Sequence, residues 1–326
     1  ICKGPAKRET NTMPQWAGSS WYYLRYLDVK NKKQFADPTK LKHWLPVDTY
    51  FGGMEHTTLH LLYSRFWHQA LFDLGHVPTA EPYAVRVPHG IILGSDAEKM
   101  SKSRGNVVNP DDVVKEYGAD TLRMYELFLG PHGATAQWNN QGIVGVYRFL
   151  NRVWKLFTET RIAPHSTSEV IAPIQRAVKS ISDDIVGFRF NTIVSEMMKL
   201  LNEIEELVIA GKPFGRAEAE IFLKLLAPLA PHITEELWQN VLKNKISIHR
   251  APWPIFNAAA VVTEMITIVV QVNGIFRGTV SMRSNSAEAA VIATARTLPR
   301  VLMQLAKQNV IKTVFINNKL LNFITA

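Results

Sequence analysis

Lys99-Met100-Ser101-Lys102-Ser103-Arg104-Gly105-Asn106 follows closely on the strand-like run His89-Gly90-Ile91-Ile92-Leu93 and on Gly94-Ser95-Asp96. Two ammonium groups three residues apart, with small hydroxyls beside them and a glycine after, make a mobile cationic loop. Such a loop can follow a phosphate whose charge changes during a reaction. A bare K-x-x-K is ordinarily an exposed basic turn. The whole string, placed directly after a strand, carries more information than that.

Outward from this loop, strands alternate with helices. Val47 to Gly53 reads as a short strand running into a glycine pair, and Tyr83 to Val87 and His89 to Leu93 as two more. Ser19 to Tyr26 and Leu59 to Leu74 read as helices, the second with Leu59, Leu62, Tyr63, Phe66, Ala70 and Leu71 on one broad apolar face. Asn109-Pro110-Asp111-Asp112 starts a helix through Tyr117, its Asp pair well placed near the N-terminus. This alternation implies an α/β sheet over residues 1–142. Helical segments are expected next at 144–160, 172–187, 190–210 and 215–242, the last divided in two by Pro228 and Pro231. They form a bundle domain over 143–254. After an Ala-rich linker a third module, 262–326, begins with β-branched Ile266 to Val272. The turn pair Asn273-Gly274 and a return over Ile275 to Ser281 follow. A helical stretch from Ala287 to Ala306, broken near Pro299, leads to strands at 311–316 and 320–325.

A chain of 326 residues with 47% hydrophobic and 20% charged side chains is long enough for two or three folded domains and excludes a disordered protein. Its +9 formal charge is unevenly placed. From Lys243 to Ala326, ten Lys and Arg face only Glu264 and Glu288, which suits a polyanion partner or, equally, a solvated basic surface. The single Cys2 fits a reducing compartment, so a cytoplasmic or organelle-matrix location is expected. No apolar run approaches the ~18 residues that span a bilayer. Ile1-Cys2-Lys3-Gly4-Pro5 reads as an entry into mid-protein.

Lys99 to Ser103 resembles the KMSKS signature of class I aminoacyl-tRNA synthetases, and His89-Gly90 … Leu93-Gly94 … Asp96 resembles its class Ia surroundings. Ala97 stands where that family usually has glycine. Two further stretches are similar to the leucyl enzymes: Arg8 through Tyr22, and Tyr50-Phe51-Gly52-Gly53-Met54-Glu55-His56 … His60-Leu61-Leu62-Tyr63-Ser64-Arg65-Phe66. The resemblance implies a multidomain α/β plus α protein. Its components would be the C-terminal half of a Rossmann-like class I catalytic domain, an α-helical bundle of the anticodon-binding type, and a small α+β C-terminal module. It also implies ATP, with Mg²⁺ on its phosphates, as substrate rather than bound cofactor, and leucine and tRNA(Leu) as partners. Lys99 and Lys102 would be catalytic, meeting the negative charge that builds on departing pyrophosphate. Gly52, Gly53, Glu55, Lys99, Met100, Ser101, Lys102 and Ser103 would bind ATP. Trp16, Ser19, Tyr22, Tyr50, His56 and His60 would surround the leucine side chain or the adenylate.

From the residues alone, His56 and His60 share a helix face at i, i+4. That spacing also suits a metal pair. The segment His56-Thr57-Thr58-Leu59-His60 nevertheless lacks the Glu of H-E-x-x-H and a third ligand, so no metal site is expected. Trp16, Tyr22 and Tyr50 suit either a pocket or a core, and Gly52-Gly53 either a tight turn or close approach of a nucleotide. Downstream, Leu226-Ala227-Pro228-Leu229-Ala230-Pro231-His232 resembles an anticodon-domain helix, and Gln271-Val272-Asn273-Gly274 … Arg277-Gly278 the leucyl C-terminal module. That module implies Arg277, Arg283, Arg296, Arg300 and Lys319 as tRNA phosphate contacts. No H-x-G-H string occurs in the sequence, and nothing resembles an inserted editing domain. Both are expected upstream, on an N-terminal half that would be a further partner, joined covalently or as a separate subunit. A non-catalytic RNA-binding protein derived from a synthetase, or a valyl, isoleucyl or methionyl enzyme, are the alternative readings.

Overall fold

Asp37 and Pro38 open a helix that the hydrophobic pattern does not reveal. The Asp37 carboxylate accepts the Thr39 N–H at 2.8 Å, and proline occupies the first helical position, where its missing N–H costs nothing. This is α3 (Pro38–Trp44), preceded by the short α1 (Gln15–Ser19) and α2 (Tyr22–Tyr26). The computed structural model describes residues 4, 5, 7, 10, 15–261, 265–283, 286–306 and 308–326. The chain divides into two compact units. One comprises 1–161, 180–202 and 222–253, and the other 162–179, 203–221 and 254–326.

In the first unit, β1 (Val47–Gly53) runs through a 3-10 turn, Met54–Thr57, into α4 (His60–Asp73), which returns the chain to β2 (Tyr83–His89). β1 and β2 pair in parallel, with Val47 opposite Tyr83 and Gly53 opposite His89. The run His89 to Leu93, expected as one strand, breaks at Gly90. Only Ile92–Leu93 (β3) pairs, in parallel with Ala136–Gln137 (β4). Between these two strands lie the lysine loop, α5 (Pro110–Tyr117), capped by the Asn109 side chain, and α6 (Ala119–Phe128).

The orientation of α4 corrects the apolar-face expectation. His60, Leu61, Ser64 and His68 are the buried positions, whereas Leu62 and Phe66 are 58% and 71% exposed. The inward stripe is largely polar because each of its polar groups receives a hydrogen bond, which removes the penalty of burying it.

The helices expected downstream are present as α7 (Asn140–Glu159), α8 (Ser168–Val186), α9 (Phe190–Ile209), α10 (Arg216–Leu226) and α11 (Pro231–Glu236). α8 starts at Ser168, one turn before the expected 172, and carries Pro173 inside it. Its first turn is braced by Glu169, which pairs with Lys212 at 2.7 Å; that partner holds the Glu169 carboxyl down at about 2. The division near Pro228 and Pro231 separates α10 from α11.

In the second unit, β5 (Met265–Val272), β6 (Ile275–Arg283), β7 (Val310–Ile316) and β8 (Leu320–Thr325) form a sheet in the order β6-β5-β8-β7. β5 is parallel to β8, and the other two pairings are antiparallel. Asn273 and Gly274 turn the first hairpin at φ 50° and 78°, a conformation that favours asparagine and glycine. α12 (Glu288–Ala295) and α13 (Pro299–Leu305) cover the sheet over a core of Ile268, Val270, Val280, Val291, Leu321 and Phe323. The first residues assigned to this module, Val262 to Glu264, lie outside the described residues. Among the described residues, no helix is long and apolar enough to cross a membrane.

Candidate functional site

α4 places His60, Ser64 and His68 four residues apart on one face, and each takes a hydroxyl from a different neighbouring tyrosine. Tyr83 donates to Ser64 at 2.9 Å, and Ser64 donates in turn to the Leu61 carbonyl. His68 gives its Nε2 proton to the Thr79 carbonyl at 2.9 Å, so its Nδ1 accepts from Tyr23 at 2.7 Å. His60 has the opposite tautomer. Ser19 donates to the Trp16 carbonyl at 3.0 Å, which leaves its lone pairs to accept from His60 Nδ1 at 3.0 Å. His60 Nε2 is then bare and accepts the Tyr50 hydroxyl at 2.8 Å, and Tyr50 accepts from Tyr22 at 2.9 Å. The chain of donors thus runs from Tyr22 through Tyr50 and His60 to Ser19. Burial, and then the neighbouring His56, holds the His60 pKa below its ordinary value, and burial pushes the Tyr50 hydroxyl far up. Both groups stay neutral.

These side chains line a cleft of about 360 Å³ formed by Trp16, Ser19, Tyr22, Tyr50, Phe51, Gly52, Gly53, His56, His60, Leu61 and His89. All six residues expected around the leucine or adenylate border it. Trp16 meets His56 edge-on, with centroids 5.5 Å apart, and the buried His56 Nδ1 has no hydrogen-bond partner among the described residues. It is therefore available to a polar ligand. A Cβ on Gly52 would stand in open space, and one on Gly53 would run into the Glu55 carboxyl.

Phe51, Leu61 and His89 also line the cleft and were not expected there, and Tyr83 stacks on Tyr50 at 4.0 Å. His89 reaches the site because the parallel register sets it opposite Gly53. Strand register between distant segments leaves no local signal in the sequence. His68 and Tyr23 do have a faint one, the four-residue repeat of polar side chains along α4.

The lysine loop opens with Gly94 to Ala97, where Ala97 lies at φ 62°, a backbone that favours the glycine usual in the family. Leu93 bridges to Lys99, and Lys102–Arg104 forms a 3-10 turn ended by Gly105 at φ 70°. Lys99, Lys102 and Ser103 are exposed, and Met100 and Ser101 half-buried. Glu55 lies on the turn after β1, beside the cleft-lining Gly53 and His56. Its exposed carboxyl sits below the usual range through its own backbone N–H first, then His56, Lys99 and His89. Among the described residues, no three His, Cys, Asp or Glu gather as a metal site would require.

In the C-terminal module the residues expected to meet tRNA phosphates lie on separate elements. Arg277 sits on β6 at the irregularity beside Val270 and Gln271. It is half-buried, and its Nε has no partner among the described residues. The Arg296 guanidinium lies 5.9 Å from the Phe323 ring centroid, and Arg300 and Lys319 are exposed. Arg283 ends β6, and its side chain lies outside the described residues.

Residues 2–139 match the family model described as tRNA synthetases class I (I, L, M and V), and residues 168–292 the anticodon-binding domain of tRNA ligase. The leucine–tRNA ligase of Chlorobaculum tepidum is 46% identical over 98% of this chain. Over nearly its whole length the chain is thus similar to the leucyl type of class I tRNA synthetases. It spans 40% of that relative's length. It is also similar to the LeuRS of Agrobacterium radiobacter, solved in a ternary complex with tRNA and LeuAMS. The TM-score is 0.78 and the identity 32%, over 100% of this chain and 44% of that one. The methionyl-tRNA synthetase of Mycobacterium tuberculosis, in complex with methionyl-adenylate, shares the fold at a TM-score of 0.50 and 16% identity, over 69% of this chain and 49% of that one.

Proposed function

We propose that this chain supplies the lysine-loop half of a leucine-activating site and completes it together with an N-terminal half carrying the remaining catalytic strands. The observation that supports this reading is the single cleft in which Trp16, Ser19, Tyr22, Tyr50, His56 and His60 meet Gly52, Gly53 and His89, the last residue of the strand that leads toward the lysine loop. Leucine lies in the cleft between Trp16, Ser19, Tyr22, Tyr50, His56 and His60. The adenosine runs along Gly52, Gly53 and Glu55, and the ATP phosphates lie on Lys99 to Ser103. The leucine carboxylate attacks the α-phosphorus, the bond to pyrophosphate breaks, and the Lys99 and Lys102 ammonium groups neutralise the charge on the departing diphosphate. Mg²⁺ arrives with ATP; among the described residues no three His, Cys, Asp or Glu gather to hold it, and no step here is assigned to it.

Transfer to tRNA(Leu) follows. Division of labour is proposed among the catalytic region at residues 1–142, the helical bundle at 143–254, and the module at 262–326, whose Arg277, Arg283, Arg296, Arg300 and Lys319 meet phosphates. The test is leucine-dependent ATP–pyrophosphate exchange after the chain is mixed with a leucyl N-terminal half. Lys102→Ala is expected to lower exchange by about 10²-fold or more, the scale for removing one group that stabilises transition-state charge. Full activity in that variant removes Lys102 from the mechanism. Exchange supported by valine, isoleucine or methionine but not leucine overturns the substrate assignment. Salt-sensitive tRNA binding without exchange in any reassembly selects a non-catalytic RNA-binding role.

A further inference from the structure

Asn106 turns its carboxamide back across the neck of the lysine loop. Its Nδ2 lies 3.0 Å and 3.1 Å from the two Asp96 carboxylate oxygens and 3.4 Å from the Lys99 carbonyl. Its Oδ1 accepts the Ser101 N–H at 2.8 Å. Asp96 is itself anchored, because its Oδ1 accepts the Glu98 N–H at 3.1 Å. One side chain on the exit of the loop is thereby bonded to its entry at residue 96 and to its body at residues 99 and 101.

Backbone bonds also cross this span: Leu93 bridges to Lys99, and the Gly94 N–H donates to the Glu98 carbonyl at 2.8 Å. They hold the entry of the loop and do not reach its exit at Asn106. The turn from Gly94 is closed by the Ala97 N–H to the Gly94 carbonyl at 3.0 Å, but Ala97 lies at φ 62°, where a Cβ is unfavourable. Arg104 pairs with Glu98 at 2.8 Å with both side chains more than half exposed, an arrangement of small net effect. The hydroxyls of Ser101 and Ser103 bond each other at 2.8 Å within the loop and tie it to nothing outside. The Asn106 side chain differs in reach: both it and Arg104 bond a carboxylate, but Asn106 also accepts the part-buried Ser101 N–H and so joins residues 96, 99 and 101 at once. Asparagine fits because a short carboxamide offers a donor and an acceptor together. An aspartate in its place keeps the acceptor for Ser101 and sets a second negative charge against Asp96.

We propose that Asp96 and Asn106 form a latch that fixes the shape of the two-lysine loop, which makes Asn106 a positioning residue for Lys99 and Lys102. With the latch closed, the backbone at residues 99–102 has one arrangement. With it open, the loop is held by its two ends and by exposed contacts, and both ammonium groups range over a wider volume. The meaning of the latch for ATP rests on the function proposed above, whereas its existence does not.

The experiment is limited trypsin digestion of the full chain, without ATP or any partner, at a protease level where loop closure outruns cleavage. Rates then follow the open fraction. Trypsin cuts after Lys99, Lys102 and Arg104, so the probe reads the loop directly. Asn106→Asp is expected to raise cleavage at these three bonds about tenfold or more, the scale of one lost charge-assisted hydrogen bond. The exchanged pair, Asp96→Asn with Asn106→Asp, again sets one donor against one carboxylate and keeps acceptors for the Ser101 and Glu98 N–H groups. It is expected to return the rates to within about twofold of the parent chain, its latch restored. An unchanged rate in the single variant, an exchanged pair as fast as the single, or equal acceleration at every Lys and Arg bond of the chain each overturns the latch. Pyrophosphate exchange that fails while the digestion behaves as expected tells against the catalytic reading alone.

Discussion

His60 is gripped at both ring nitrogens, by Ser19 and by Tyr50, and His68 likewise by Tyr23 and Thr79. Burial lowers both pKa values from the ordinary 6.5, so the folded form takes up protons less readily than the unfolded form. The stability they contribute is complete above about pH 6.5 and is lost as pH falls below it toward the folded values, at up to about 1.4 kcal/mol per pH unit for each group. Urea unfolding followed by tryptophan fluorescence should therefore show a lower midpoint at about pH 5.5 than at about pH 7.5, and His68→Gln should reduce that drop. A midpoint unaffected by acidification would contradict the buried, neutral imidazoles. The carboxylates held low, Asp28 beside Lys40 and Glu81 beside Arg65, act in a separate window below about pH 4.5. At this scale the resemblance grouped six side chains that do border a single cavity. The sequence was silent on tautomers, because these depend on partners such as Ser19, 41 residues from His60.

Among the elements, the β5–β6 hairpin was the most legible and α4 the least, for physical reasons. A hairpin is a local object: Asn273-Gly274 names the turn, and the alternation on either side names the inward face. The apolar stripe on α4 was legible as a pattern but did not tell which face turns inward: the helix turns His60, Ser64 and His68 toward three tyrosines and leaves Leu62 and Phe66 outside. The expected single strand from His89 likewise split at Gly90, where strand pairing, rather than apolar content, decides what is a strand. The hairpin supports a graded prediction. Gly274→Ala places a Cβ at φ 78° and should cost about 1 kcal/mol or slightly more. Phe323→Ala empties a fully buried site on β8 and should cost about 3–5 kcal/mol. Hydrogen exchange at β5 and β8 amides in the full chain measures both. Equal, small effects would mean that Phe323 is not at the centre of this core.

For the whole molecule, the feature to account for is the apolar surface beside the β1–β2 pair. The β1–β2 pair is only two strands wide, and Leu62, Tyr63 and Phe66 on α4, with Leu74 just beyond its end, leave a large apolar face in water. Contiguous patches of this kind mark surfaces that another polypeptide covers. In the function proposed above, the occupant is the N-terminal half of the catalytic domain. Burying a leucine and a phenylalanine that are now exposed is worth roughly 1.5–3 kcal/mol each. Leu62→Glu combined with Phe66→Glu should therefore weaken association with that half by about 10²-fold or more, with little effect on the chain alone, since both side chains already face water. Calorimetric titration of the N-terminal half into the paired variant measures the loss, and binding of a hydrophobic dye to the isolated chain should fall in parallel. The composition pointed to folded cores and left a polyanion partner and a solvated basic surface equally open; it could not locate this face, because a helix that pairs with a distant segment looks in sequence like one that buries its stripe at home. If the variant binds the N-terminal half as tightly as the parent chain does, that half docks elsewhere, and the exposed face of α4 belongs to some other contact.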